Sequence, residues 1–263
     1  IQETHLVDSE IEKLGKKWKG QVFAASFSSH ARGTLIWIAP GVPFQMTYLE
    51  ADVEGRYVLI HGRLDGMQVA ICSIYAPNED DGSFYETIQE TVMGAIGQPL
   101  ILLGDFNCVL DGRRDRAPPR LGTKPKMTKV LQEMITNLNL TDVWRARFPE
   151  KSEYTCLSLT HNTNSRLDRI YLSEEVSHAT GRVGHLARYL SDHAPIQLEI
   201  QLGRQKTHTR SWKLDPEILK DPVGREALGE ALTQYFTENW GSAGSRAMEW
   251  EAMKTVLRGR CIG

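Results

Sequence analysis

The chain has 263 residues, of which 41% are hydrophobic and 24% are charged. This composition is typical of a globular protein and excludes a disordered, collagen-like or coiled-coil chain. The 31 Lys and Arg residues against 33 Asp and Glu residues give a formal net charge of -2, which excludes a uniformly basic nucleic-acid coat but leaves room for a local basic surface. Four separated cysteines without a CxxC spacing indicate neither a zinc knuckle nor a disulfide framework, so a reducing intracellular environment is expected.

Short runs rich in Val, Ile, Tyr and Leu, separated by turn residues, dominate residues 21–201 and predict β-strands. Apolar residues recur at three- and four-residue steps in two other stretches, which predict helices at 82–97 and 124–138. The runs 67–75 and 100–103 are apolar on both faces, so we expect central strands buried between layers. The pattern predicts an α/β fold in which two packed sheets are covered by helices. The predicted strands lie near 21–27, 34–39, 45–52, 56–63, 67–75, 100–105, 154–158, 166–172 and 195–201.

The character of the sequence changes after Leu202, where a polar, strand-poor segment begins. We place a domain boundary near 203, because residues 1–203 carry 21 Lys and Arg against 25 Asp and Glu, whereas residues 204–263 carry 10 against 8. The segment 204–263 is interpreted as a helical linker that leads into a neighbouring region of the protein. The apolar runs of the whole chain are too short to span a bilayer, so no membrane partner is expected. The helices predicted in the linker lie at 215–219, 221–240 and 246–258.

Five short strings place acidic, amide, phenolic and imidazole side chains at the ends of predicted strands. A packed sheet can hold such side chains in fixed positions on its rim. Each string alone is a weak signal, because residues such as Asp105 and Asn107 can serve only backbone hydrogen bonds in a turn. Hydrolysis of a phosphodiester needs a cation, a base for water and donors to the phosphate oxygens, and these residue types fill such roles. The strings are QETH at 2–5, YAPN at 75–78, GDFN at 104–107, RLDRIYL at 166–172 and SDH at 191–193.

The order of these five strings resembles the endonuclease/exonuclease/phosphatase superfamily of DNase I and the abasic-site endonucleases. The strings QETH, IYAPN, GDFNCVLDGRRDR and SRLDRIYLS are similar to the endonuclease domain of LINE-type non-LTR retrotransposons. The tail agrees, since WKLDPEILKDP at 212–222 and VLRGRCIG at 256–263 resemble the segment that joins this endonuclease to a reverse transcriptase in the same polyprotein. The resemblance implies a DNase I-like four-layer sandwich that nicks target DNA in the nucleus, with a reverse transcriptase domain as its covalent partner.

The resemblance also implies an oxygen-lined metal site with a base beside it. Glu3 would be a carboxylate ligand of Mg2+ or Mn2+, and Asp192 would lie near the metal and the phosphate. Asp105 would polarise or deprotonate the attacking water, and Asn107 would hold that water or a phosphate oxygen. These positions imply a hydrolase that depends on a divalent metal.

Four further residues are implied to bind or surround the scissile phosphate. His193 would contact the phosphate, while Asp168 would accept the other ring N–H of His193 and orient the imidazole. Tyr75 would donate a phenolic hydrogen bond to the phosphate, and Asn78 would help to fix the surrounding loop. Together with the metal ligands, these residues predict one pocket built from distant parts of the chain.

A basic block follows the GDFN string, with seven cations between Arg113 and Lys129 and one acid, Asp115. A charge run of this kind can be a solvated loop that leads into a helix. Beside a phosphodiesterase motif, we expect Arg113, Arg114 and Arg116 to bind DNA phosphates on either side of the scissile bond. Salt-dependent DNA binding is the corresponding expectation.

Three alternative functions stay open at this point. An abasic-site endonuclease has the same fold, although the tail 204–263 disfavours it. A phosphatase that acts on inositol lipids or small phosphoesters also has this fold, and the basic block disfavours it. The third alternative is a non-catalytic remnant that binds nucleic acid or has lost function.

The remnant hypothesis arises from the start of the chain. The family uses an asparagine on the first strand of the fold, and the chain starts at Ile1, after the place where that strand would lie. We therefore expect the first strand to be missing, with low stability and weak or absent nicking activity in residues 1–263 compared with a version extended at its N-terminus.

Overall fold

The computed structural model describes residues 1–95, 98–120, 122–160, 162–189, 191–201, 220–239, 249–250 and 252–257. The chain forms two compact units, Ile1–Arg204 and Gln205–Gly263. In the second unit, helix α6 (Pro222–Asn239) confirms the helix predicted at 221–240, and residues 249–250 and 252–257 are also helical. The helix predicted at 215–219 lies outside the described residues. The assignment of the two units to an endonuclease domain and a linker stays a prediction.

The first unit is organised around a six-stranded sheet with the strand order β3-β4-β5-β6-β11-β8. Its neighbouring strands are antiparallel except for the central pair β5 and β6, which is parallel. As predicted from their apolar sequences, these two strands are central and largely buried. The six strands are β3 (Phe44–Ala51), β4 (Tyr57–Leu64), β5 (Met67–Tyr75), β6 (Leu100–Asp105), β8 (Thr141–Asp142) and β11 (Asp168–Leu172).

Two amphipathic helices cover one face of this sheet. They are α2 (Ser83–Val92), which continues into a short 3-10 turn, and α3 (Lys126–Asn137). Both bury apolar residues at helical spacing, as the two predicted helices required. Alternate residues of β5 and β6 point into this layer, because successive strand residues face opposite sides of a sheet. The buried residues of this core include Leu59, Cys72, Ile74, Tyr85, Ile88, Leu102, Leu131 and Tyr171.

The other face of the sheet packs against two separate strand pairs. One pair is β1 (Gln21–Ala25) with β2 (Thr34–Ile38), and the other is β12 (Thr180–His185) with β13 (Ile196–Ile200). Their inward side chains meet those of β4, β5 and β6 in a second apolar core. This stacking of strands on a helix-covered sheet confirms the α/β sandwich of the DNase I-like class. The core residues include Phe23, Ile36, Val58, Ile60, Val69, Ile101, Trp144 and Val183.

Several short elements were not predicted from the sequence. Helix α1 (Asp8–Lys17) buries no residue and carries only two large apolar side chains, Ile11 and Leu14, too few to indicate a helix that packs on the core. The two- and three-residue strands of a small sheet, ordered β7-β10-β9, are too short to show a period. The unpredicted elements are α1, α4 (Val143–Arg147), α5 (Glu174–Ser177), β7 (Arg116–Ala117), β8, β10 (Thr163–Ser165) and β12, while β9 (Cys156–Ser158) lies within a predicted strand.

Three cysteines lie in the described part of the chain, and Cys72, Cys108 and Cys156 are free thiols there. Among the described helices, none combines the length and the apolar character that crossing a membrane requires.

Candidate active site

Strand register places three of the predicted site residues in one row across the central sheet. Tyr75 ends β5 and pairs with Asp105 at the end of the parallel strand β6. Asp105 in turn pairs with Asp168, the first residue of the antiparallel strand β11. Because cross-strand partners lie close together on the same face of a sheet, the ladder brings a phenol and two carboxylates together.

The glycine of the GDFN string allows this close approach. Gly104 has φ 137°, and a Cβ atom there would lie 2.1 Å from the carbonyl oxygen of Ile74. A larger residue would therefore push β6 away from β5 just before Asp105. Gly104 of this string is therefore required for the packing of β6 against β5, in addition to the chemical roles predicted for Asp105 and Asn107.

One pocket of about 500 Å³ is lined by Asp105 and Asp168 of this row, while Tyr75 is not among its lining residues. The distant Glu3 and the segment Ser191–Ile196 line it together with residues from β6 and β11. Glu3, Asp105 and His193 are more than eighty residues apart in sequence and share this pocket, as the motif analysis predicted. The predicted site residues that line the pocket are Glu3, Asp105, Asp168, Asp192 and His193.

Asp105 is a buried acid with a raised pKa. Its side chain is 5% exposed, and its Oδ1 accepts a 2.8 Å hydrogen bond from the backbone N–H of Asn107. Burial, followed by the nearby charge of Asp168, raises the pKa of Asp105 from 3.8 to about 6. A carboxylate with a pKa in this range can take a proton from water near neutral pH.

His193 is held by a carboxylate through one ring nitrogen. Its Nδ1 lies 2.8 Å from Oδ2 of Asp168. Burial opposes the charged ring, but the hydrogen bonds to Asp168 and Cys156 and the charge of Asp168 raise the pKa of His193 to about 11. The ring is therefore an imidazolium at neutral pH, with Nε2 as the nitrogen that Asp168 does not use. This arrangement places a cation beside Asp105, within reach of an anionic ligand.

Glu3 is positioned by contacts on both sides of it. The Nε2 of Gln2 donates a 3.0 Å hydrogen bond to Oγ of the buried Ser73 on β5, and Gln2 also forms a bridge to Thr34 on β2. Glu3 itself has φ 50° and accepts a hydrogen bond from the hydroxyl of Tyr75. Burial and this contact raise the pKa of Tyr75, so the phenol stays protonated and can donate. Tyr75 therefore orients the Glu3 carboxylate.

The two predicted asparagines occupy different positions. Asn107 has φ 43°, and its Nδ2 donates a 2.7 Å hydrogen bond to the carbonyl oxygen of Ala76, which joins the ends of β6 and β5. Asn78 is exposed on the loop after β5 and is not among the residues that line the pocket. Neither asparagine lines the 500 Å³ pocket, although Asn107 connects the strand ends beside it and lines the neighbouring cavity of about 1060 Å³.

The three arginines of the basic block are not equivalent. Arg113 is exposed, and Arg116 is half-buried in β7. Arg114 forms a 2.7 Å ion pair with Asp111 and also donates to the carbonyl oxygen of Pro149. All three line a second cavity of about 1060 Å³ that begins at the GDFN string and extends to α3. Arg113 and Arg116 are consequently the cations better placed to bind a ligand, because Arg114 already stabilises the loop.

Sequence reasoning missed the role of Thr155, which connects the two halves of the His193–Asp168 pair. Thr155 is fully buried, and its Oγ1 accepts hydrogen bonds of 3.0 and 3.1 Å from the backbone N–H groups of Leu167 and Asp168. Its carbonyl oxygen accepts from the N–H of Ala194 at 2.6 Å. A lone threonine in a polar stretch carries no signal that would have revealed this contact.

A buried charge cluster was also missed. Asp115, read as the single acid in a basic run, is 1% exposed and pairs with three arginines. Arg169 of this cluster donates a 2.7 Å hydrogen bond to the carbonyl oxygen of Cys108, directly after the GDFN string. The two arginines that flank Asp168 in RLDR were a visible signal, since charged residues inside an apolar strand require a buried partner. The partners of Asp115 are Arg145, Arg166 and Arg169.

The donor set of the 500 Å³ pocket fits a hard divalent cation. Four carboxylate residues, Glu3, Asp105, Asp168 and Asp192, line one cavity, and oxygen is the ligand atom that such cations prefer. Ligand atoms of Asp105, Asp168 and His193 lie within 4.8 Å of one another, and Asp168 already binds His193. Glu3 belongs to no such close group among the described residues, so Glu3 and Asp192 share the pocket and stay the predicted metal ligands.

The helix-covered sandwich and its acid–imidazole pocket define a DNase I-like protein. The sequence matches the Endonuclease/Exonuclease/phosphatase family over residues 1–193, and the chain belongs to this family. The resemblance inferred from the five strings is thereby confirmed. Members of the family are hydrolases that act on phosphodiester bonds.

Individual relatives agree with this assignment. The chain is 27% identical over 229 residues to a transposon TX1 uncharacterized 149 kDa protein of Xenopus laevis, which covers 84% of this chain and 17% of that protein. Among solved structures, the AP endonuclease LMAP from Leishmania major is similar with a TM-score of 0.62 and 17% identity, covering 75% of this chain and 76% of that one. The 3' phosphatase NExo from Neisseria, bound to product DNA hairpin, has a TM-score of 0.58 and 21% identity over 76% and 87% of the two chains. The structural likenesses show the fold.

Proposed function

We propose that this chain is a metal-dependent DNA endonuclease that nicks one strand of target DNA for retrotransposon integration. The single observation that carries the proposal is the convergence of four carboxylates and an imidazolium on one pocket. A phosphodiester is an anion attacked by water, so its hydrolysis needs a base, a cation and hydrogen-bond donors in one place. The pocket supplies all three kinds of group.

In this mechanism Asp105 is the base. Its Oδ1 is occupied by the N–H of Asn107, so the other oxygen is available to accept a proton from water. The carboxylate of Asp168 keeps His193 cationic, and His193 would donate from Nε2 to a phosphate oxygen. Glu3 and Asp192 would hold Mg2+ or Mn2+, which supplies Lewis-acid stabilisation of charge on the phosphate when bound.

The retrotransposon assignment is supported by the Xenopus laevis relative, which is named as a transposon protein. The chain spans 17% of the length of that relative, so the activities of the longer protein are not those of this chain alone. We propose that a reverse transcriptase domain follows in the same polyprotein and extends the 3'-hydroxyl left by the nick. Action in the nucleus, where target DNA lies, is part of the same proposal.

The test of this function is the nicking of supercoiled plasmid in Mg2+ by the purified chain and by a His193→Ala variant. We expect the nicking rate to fall by about 10²–10³ in the variant, because one preorganised donor to the phosphate is removed. Gel quantification of open-circle product over time measures the rate. His30→Ala is the matched control, since His30 is an exposed histidine in the turn between β1 and β2.

The same preparation distinguishes the alternative functions. Preference for an abasic over an intact duplex would identify an abasic-site endonuclease, and release of inorganic phosphate from small phosphoesters would identify a phosphatase. Equal nicking by the wild type and His193→Ala would contradict the assignment of the pocket.

Arg113 and Arg116 of the basic block are expected to bind DNA phosphates. Arg113→Ala combined with Arg116→Ala should weaken DNA binding and lower the slope of log affinity against log salt by about 2, because each lost phosphate contact contributes about one unit. Arg114 is left intact because its ion pair with Asp111 stabilises the loop. Fluorescence anisotropy with a labelled duplex at several salt concentrations gives the slope.

Lys16→Ala combined with Lys17→Ala removes the same charge from two exposed positions at the end of α1 and serves as the control. A slope that falls equally in both double variants would indicate a general charge effect. An unchanged slope in the arginine variant would remove the basic block from the DNA interface.

A further inference from the structure

A second group of side chains that could bind a metal shares Asp192 and His193 with the carboxylate pocket and adds Cys156. Cys156 is the first residue of β9 and forms an isolated antiparallel bridge with His193. A ligand atom of Cys156, one of Asp192 and one of His193 all lie within 4.8 Å of one another. This group differs from the carboxylate pocket because it contains a thiol.

The donor set of this group suits a different class of metal. Thiolate and imidazole are borderline-soft ligands that favour Zn2+, whereas Mg2+ and Mn2+ prefer oxygen. Zinc in proteins binds sulfur at about 2.3 Å and nitrogen at about 2.0–2.1 Å, with four ligands in a tetrahedron. Cys156 and His193 are half-buried and Asp192 is exposed, so a site here has an open side toward solvent for a water ligand.

The backbone holds the three ligands in place. The N–H of Leu157 donates a 3.1 Å hydrogen bond to the carbonyl oxygen of Asp192, and Ala194 donates to Thr155 at 2.6 Å. These two bonds lie on either side of the Cys156–His193 bridge and hold the two segments side by side. The backbone therefore keeps the three ligand residues adjacent.

Asp168 completes the arrangement as an outer partner of the imidazole. It binds Nδ1 of His193 at 2.8 Å, which leaves Nε2 for a metal. Metal-bound histidines almost always have such a carboxylate or carbonyl on the second ring nitrogen. The Asp168–His193 pair, which is proposed to bind phosphate, thus also has the carboxylate–histidine arrangement found at zinc sites.

We propose that Cys156, Asp192 and His193 form a zinc site with a water as fourth ligand, and that zinc bound there inhibits the enzyme. Binding releases the protons of the thiol and of the imidazolium to solvent. His193 cannot then donate to the phosphate, so zinc and DNA cleavage exclude each other at this residue. The inhibitory part rests on the proposed function, whereas the metal site does not.

The site itself is tested by titrating the purified chain with Co2+, which takes zinc positions and reports thiolate ligation by a charge-transfer band in the near ultraviolet. We expect the band in the wild type, its loss in Cys156→Ala, and displacement of cobalt by added zinc. Affinity for zinc should fall at least about tenfold in the variant. Cys108→Ala is the matched control because Cys108 is a buried thiol on β6's following loop. Absence of the band in the wild type, or its survival in Cys156→Ala, overturns the proposal.

The inhibitory role is tested by plasmid nicking in excess Mg2+ with increasing zinc, each variant being normalised to its own zinc-free rate. The zinc concentration for half inhibition should rise at least about tenfold in Cys156→Ala and stay unchanged in Cys108→Ala. Equal zinc sensitivity in the two variants overturns the inhibitory role. The cobalt titration needs no enzymatic activity, so a failure of the proposed nicking function is distinguishable from a failure of the site.

Discussion

Asp105→Asn should nearly abolish nicking while making the protein more stable. The rate should fall by about 10²–10⁴, because the amide cannot accept the proton from water. The pKa of Asp105 is raised from 3.8 to about 6 in the folded protein, so its ionisation is less favourable there than in the unfolded chain. The carboxylate therefore lowers the stability of the folded protein once the pH rises above 3.8. This net shift already includes the attraction to His193, and it corresponds to an expected stability gain of up to about 3 kcal/mol at neutral pH.

The measurement is urea unfolding in EDTA, together with plasmid nicking in Mg2+. The stability gain should shrink as the pH falls from about 7 to about 4, because the wild-type acid becomes protonated in the folded protein over this range. Asp65→Asn makes the same change in the exposed turn between β4 and β5 and should alter neither quantity. A variant that is less stable than the wild type at neutral pH would contradict the proposed environment of Asp105.

Asp115→Ala should cause the largest loss of stability of any single substitution of a charged residue considered for this chain, about 3–5 kcal/mol. Asp115 binds Arg166 at 2.9 Å and Arg169 at 3.5 Å, and the side chains of both arginines are at most 2% exposed. Removal of the carboxylate leaves both buried charges dependent on Asp142, which lies 2.8 Å from Nη1 of Arg166 and 3.9 Å from Nε of Arg169. Denaturant unfolding at neutral pH measures the loss.

Glu54→Ala is the control for this prediction, since it breaks the exposed ion pair with Arg32 and should cost at most about 1 kcal/mol. The pH dependence gives a second check. Burial opposes ionisation of Asp115, but the hydrogen bond from Arg166 and the charges of the arginines lower its pKa from 3.8 to about 2. The stability it contributes is therefore present above pH 3.8 and is lost as the pH falls toward 2, and an acid titration without this loss would count against the cluster.

The central sheet and most of the candidate pocket were predictable from the sequence. The strands that carry Tyr75 and Asp105 are long, apolar and β-branched, so their type and approximate limits follow from composition alone. Asp105 ends such a strand and Asp168 begins β11, at the rim where a sheet presents polar groups, whereas Glu3, Asp192 and His193 lie in the connecting segments. The prediction that these side chains meet in one pocket came from the family resemblance, because the sequence pattern does not indicate which strands are neighbours.

The parts that escaped prediction depend on contacts between distant residues. Asp115 and its partners Arg166 and Arg169 are 51 and 54 residues apart, so a local charge count classified a buried acid as part of a solvated block. Strand β12 contains two glycines and a single buried apolar residue, Val183, which is too weak a pattern to predict. Thr155 acts through its backbone and hydroxyl groups, and neither contact can be inferred from the presence of a threonine in the sequence.

The register of β5, β6 and β11 has an evolutionary consequence. The ladder of backbone hydrogen bonds sets the spacing of Tyr75, Asp105 and Asp168, while the exposed segment that carries Arg113 connects strands without taking part in this ladder. Under the proposed function, exchanges at exposed positions such as Arg113 can change which sequences the protein prefers without disturbing the reacting groups. Selection can then diversify the choice of insertion site while the residues that cleave the bond are inherited unchanged.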